Sequence, residues 1–70
     1  MDTDIRKYIL NNLKDCTEDD IKETILASIE SKDEVFLPGL GVLFELTLNK
    51  SDENNKKEII NTLFKTIKKA

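Results

Sequence analysis

The sequence predicts a small α+β domain: two N-terminal helices, a β-hairpin closed by a Pro-Gly-Leu-Gly turn, and one C-terminal helix. Three observations lead there. Apolar residues recur every three or four positions near both ends of the chain. A central run, Val42-Leu43-Phe44-Glu45-Leu46-Thr47-Leu48, combines β-branched, aromatic and alternating residues. Pro38, Gly39 and Gly41 stand just before it, where a turn would join it to the short apolar segment Glu34-Val35-Phe36-Leu37. At 70 residues the chain has room for one domain, spanning residues 1–70. A domain of this size buries only roughly 60% of the surface its unfolded chain exposes, so its core is thin.

The first helix is expected over residues 4–14, where Ile5, Tyr8, Ile9 and Leu13 share a face and Asp2 or Thr3 supplies the N-cap. The second begins after Thr17. Its hydroxyl suits an N-cap, and Glu18, Asp19 and Asp20 complement the positive end of the helix dipole. Ile21, Ile25 and Ile29 step by four along it to about Ser31, and Lys32-Asp33 closes it. In the hairpin, Pro38 fixes φ for the turn and the glycines permit positive φ. Val42, Phe44, Leu46 and Leu48 then point to one side of the second strand, and Leu40 sits at the exposed tip of the turn. Ser51 is the expected N-cap of the last helix. Ile59, Ile60, Leu63, Phe64 and Ile67 form its apolar stripe, with Lys65, Lys68 and Lys69 at its C-terminal end.

Composition excludes several function classes. No apolar run approaches the 18 residues or so that a membrane span needs, and the N-terminus lacks a signal-peptide pattern, so an intracellular protein is expected. Histidine is absent and Cys16 is the lone cysteine. Internal disulfides, histidine-dependent catalysis and ordinary zinc sites are therefore not expected. Asp19, Asp20 and Glu23 are paired carboxylates, but in the first turns of a helix they are better explained by the dipole than by acid–base chemistry. Cys16 precedes a helix N-terminus, which lowers a thiol pKa, yet no base stands ready to use it. Asp15, Glu18, Asp19 and Asp20 lack the ligand spacing and glycine of a calcium loop. Asn49-Lys50-Ser51 fits a glycosylation sequon by chance. No catalytic residue, metal site, cofactor or small-molecule substrate is expected.

Charge carries a further hint. The chain has 11 basic and 14 acidic residues, for a net charge of -3. Ten of the bases are lysines and only Arg6 is arginine, which argues against base-specific DNA reading. Residues 1–35 carry a net -5 and residues 36–70 a net +2. On the last helix Lys57, Asn61, Lys65 and Lys68 share a face, read as opposite the apolar stripe. Lys57, Lys65 and Lys68 are the candidate DNA-contact residues, able to neutralise phosphates without reading sequence. A solvated face diluted by Asp52, Glu53 and Glu58 is the simpler reading. Because so small a chain buries little alone, a homodimer is expected. Leu40 offers a third possibility, as the contact of a protein–protein adaptor.

One block is distinctive. Leu37-Pro38-Gly39-Leu40-Gly41-Val42-Leu43-Phe44-Glu45 resembles the central motif of the I-type small acid-soluble spore proteins of spore-forming Firmicutes. Asp2, Ile5, Arg6 and Asn12 fit that family's opening pattern, with Asp4 in place of Asn. Thr24-Ile25, Ile29, Ser31 and Glu34 fit the pattern leading into the block. The resemblance covers about two thirds of the chain well and weakens after Leu46. Asp15 and Lys32 stand where the family tends to have glycine, and Leu48 where it tends to have tryptophan. The resemblance implies a non-enzymatic protein made in the forespore and resident in the spore core, supporting spore formation or spore properties. It does not imply the DNA coating of the major α/β-type spore proteins, whose glycine-rich DNA-binding pattern is missing. A weaker likeness supplies the alternative. Two helices followed by a strand with a glycine-containing turn are similar to the dimerisation half of histone-like nucleoid proteins, which would make the chain a small dimeric DNA-associated regulator on a truncated scaffold. The long basic arms that grip the minor groove in those proteins have no counterpart here.

Overall fold

The computed structural model describes residues 2–70, with side chains from residue 5 onward. The described residues are almost wholly helical. Helix α1 spans Asp2–Leu13, α2 Glu18–Ser31, α3 Leu37–Lys50 and α4 Glu53–Lys69, and a single 3₁₀ turn, Glu34–Phe36, leads directly into α3. No strand occurs among the described residues, so the expected α+β architecture and its hairpin are replaced by four helices.

The correction falls on one segment, and its physics is legible. Pro38 occupies the first turn of α3, where its missing N–H would have no partner in any case and its fixed φ suits the helix. Neither glycine has positive φ, so no turn forms at the Pro-Gly-Leu-Gly sequence. The run that follows is apolar at nearly every position, and such a run satisfies a period of two and a period of 3.6 equally well. What decides between them is the partner. As a helix the segment turns Gly39, Leu40, Leu43 and Leu46 inward, with Val42, at 8% exposure, the one buried residue among those described. Leu40, expected at a turn tip, is accordingly half-buried on α3. Thr47 fits the helix by donating its hydroxyl to the Leu43 carbonyl, 2.8 Å away.

The other helices follow their end signals. Thr17 and Asp20 form a capping box: Thr17 Oγ1 accepts from the Asp20 amide at 3.1 Å, and the Thr17 amide donates to Asp20 Oδ2 at 3.4 Å. Lys32 ends α2 in the left-handed region, at φ 57°, the conformation that glycine adopts without steric cost. That is a physical reason for glycine at this position in the resembled family. Asp33 then caps the 3₁₀ turn by accepting from the Val35 amide at 3.0 Å. The cap of α4 is Asp52, which accepts from the Asn55 amide at 2.8 Å, and not the expected Ser51. Ser51 instead donates to the Thr47 carbonyl at 2.7 Å, finishing α3. The caps expected at Asp2 or Thr3 lie outside the described side chains.

Helix α3 is central, and α1 packs against it. Gly39 is the point of close approach, because a Cβ built there would lie 3.3 Å from Ile9 Cδ1. A two-pronged ion pair adds to the contact. Arg6 Nε donates to Glu45 Oε1 and Oε2 at 3.1 and 3.2 Å, and Arg6 Nη2 donates to Oε1 at 2.9 Å. Both partners are about two-fifths exposed, so solvent screening limits the pair to about 1 kcal/mol or less.

Candidate functional site

The nine-residue block Leu37–Glu45 forms the N-terminal part of α3, which packs against α1 and borders a groove shared with α2. Its residues separate into three roles. Gly39 lets α1 approach, and Glu45 holds Arg6. Leu40 and Leu43 help to line an apolar groove of about 510 Å³ with Ile9 and Leu13 of α1 and Ile25 of α2. No charged side chain lines this groove. Leu37, Phe44 and Gly41 face solvent, and a Cβ added at Gly41 would meet nothing within 4 Å. Val35, at 70% exposure, and Tyr8, at 66%, stand on the groove's rim. The reading of residues as separate motifs missed the Arg6–Glu45 pair. A signal for it was present, since the lone arginine and the last residue of the block both belonged to the resembled patterns.

The candidate DNA-contact residues all lie on α4. Lys57, Lys65 and Lys68 are exposed, and Lys57 and Lys68 lie beside the apolar stripe where a position opposite it was expected. Lys57 and Asn61 line the same surface depression as Ile60 and Phe64. The Lys68 ammonium sits 5.6 Å from the centre of the Phe64 ring, within cation–π range. Lys57 and Lys68 therefore border an exposed apolar stripe. Lys56 pairs loosely with Glu53 at 3.7 Å.

The remaining candidates are dispersed. Asp20 is engaged in the cap of α2. Cys16 is a half-buried free thiol whose Sγ lies 3.7 Å from the Asn12 carbonyl oxygen. Among the described residues no three His, Cys, Asp or Glu side chains converge as a metal site would require, and no helix is long and apolar enough to cross a membrane.

Comparison with known proteins bears directly on the central block. The sequence profile of the family "Small, acid-soluble spore protein I" matches residues 3–67. The chain belongs to this family. Relatives named "Small, acid-soluble spore protein I" from Bacillus cereus strain AH187 and Bacillus anthracis strain A0248 are each 44% identical over 69 residues. These alignments cover 99% of this chain and 100% of each relative. The match runs past Leu46 into α4, further than the resemblance read from motifs. No solved structure matches the chain. The likeness to histone-like proteins does not survive, because the strand on which it rested is helix α3.

Proposed function

We propose that this member of the small acid-soluble spore protein I family is a non-enzymatic protein of the spore core, made in the forespore and supporting spore formation or spore properties. One observation carries the reading: full-length 44% identity to proteins named for the spore, with a family profile matched from residue 3 to residue 67. The chemistry of the chain agrees with it. No histidine is available as a base or ligand, and the most specific sequence block is spent on packing α3 against α1 and on the groove beside them.

The test is quantitative mass spectrometry of the producing organism at three stages: growing cells, sporulating cells with separated forespores, and mature spores stripped of their coats. The protein is expected to appear in the forespore fraction and persist in the stripped spore. Equal abundance in growing cells and spores would overturn the reading, and so would recovery only in the removed coat.

A further inference from the structure

We infer that the protein is an obligate homodimer in which the apolar stripe of α4 from each copy fills the α1–α2–α3 groove of the other. The argument begins with area. A folded monomer of 8.0 kDa is expected to expose about 4,450 Å². This chain exposes 6185 Å². The excess is about 1,700 Å² per chain. Over two copies it comes to roughly 3,500 Å², which falls within the roughly 2,000–5,000 Å² buried by obligate homodimers.

Two stretches of the open apolar surface bear on the pairing; Leu10, Leu26, Ile29, Leu37 and Phe44 are exposed outside them. On α4, Ile60, Leu63, Phe64 and Ile67 are between 41% and 62% exposed, and α4 contributes no residue to the groove. The groove itself is lined without a single charge. The groove is a concavity and the stripe an exposed helix face, and the chain leaves both open. Placing each stripe in the other copy's groove satisfies both at once under a two-fold axis. Such an arrangement closes at two chains and does not propagate. Charge favours the same pairing. Helix α4 carries five lysines against two acids, whereas α2, beside the groove, carries five acids against one lysine. A second copy therefore brings a basic helix toward an acidic one.

The experiment uses the full chain. Sedimentation equilibrium at micromolar concentration is expected to give twice the 8.0 kDa chain mass. Two single-cysteine variants are then made in a Cys16→Ser background, Tyr8→Cys at the groove rim and Phe64→Cys on the stripe, with helicity checked by circular dichroism. After mixing and exchange, a short bis-maleimide is expected to link position 8 of one variant to position 64 of the other. Wild-type protein at the monomer mass would overturn the inference, as would larger open-ended assemblies. Cross-links confined to 8–8 or 64–64 pairs would overturn the exchanged geometry. If the wild-type monomer instead binds phosphatidylglycerol vesicles, the stripe's occupant is lipid and the second copy is excluded.

Discussion

Replacing Gly41 by alanine tests the structure at the position where sequence and fold disagree most. If Gly41 belonged to a tight turn at positive φ, alanine there would cost about 1 kcal/mol or more. In α3 neither glycine has positive φ. A Cβ at Gly41 meets nothing within 4 Å, so the substitution brings only the helix propensity of alanine, roughly 0.8–1 kcal/mol in favour of the fold. Gly39 gains the same propensity, but its new Cβ would sit 3.3 Å from Ile9 Cδ1. That methyl must retreat by a few tenths of an ångström, so Gly39→Ala is expected near neutrality and clearly below Gly41→Ala. Gly39→Leu drives a whole side chain between α1 and α3 and is expected to cost about 1–3 kcal/mol. Urea denaturation at one fixed chain concentration reads all three. In thermal melts, a gain of 1 kcal/mol is worth about 4–8 °C in a domain of this size. A loss of about 1 kcal/mol in Gly41→Ala would refute the helical assignment of this segment.

Three further outcomes follow from the helix ends and the α1–α3 contact. Lys32→Gly relieves a non-glycine residue at φ 57° and is expected to raise the urea midpoint by about 0.5–1 kcal/mol equivalent. Asp52→Ala removes the cap of α4 and should cost about 1 kcal/mol, whereas Ser51→Ala should stay within about 0.5 kcal/mol; the reverse order would return the cap to Ser51. A double-mutant cycle of Arg6→Ala with Glu45→Ala should give a coupling of about 0.5–1 kcal/mol that shrinks in 1 M salt; zero coupling at low salt would show that the pair is not formed in solution.

Much of the fold was legible where local chemistry decides it. The capping box at Thr17 and Asp20, the end of α2 at Lys32 and the amphipathic last helix all follow from residues within one turn of one another. The hairpin did not form because its evidence was local while its resolution is tertiary. Residues 42–48 carry enough apolar side chains to suit a strand or a helix, and only the approach of Ile9 to Gly39 and of Arg6 to Glu45 selects the helix. The position of Ser51 misled for a related reason. Both Ser51 and Asp52 are good N-caps, and Ser51 was already engaged with the end of α3. For the candidate site, the distinctive block was visible as a pattern, but its division into packing, pairing and groove-lining residues depends on helical geometry.

The helical reading also changes what the lysines of α4 do. With a strand at residues 42–48, the last helix would have had a sheet to cover, and its lysines would have formed an outer face. Without a sheet the apolar stripe is left open, and Lys57 and Lys68 border Ile60 and Phe64 directly. Such lysines lay their methylenes along the apolar surface and keep their charges at its edge. That arrangement suits the rim of a protein–protein contact, where a charged border surrounds an apolar centre. It suits a phosphate backbone poorly, because the charges flank a stripe that water-rich DNA would leave exposed. With Val42 the one buried residue among those described, the proposed dimer would place stability and assembly in the same surface. If the proposed dimer forms, a change that uncouples its two copies should lower the unfolding midpoint as well as the mass, and the midpoint of the wild-type chain should rise with protein concentration.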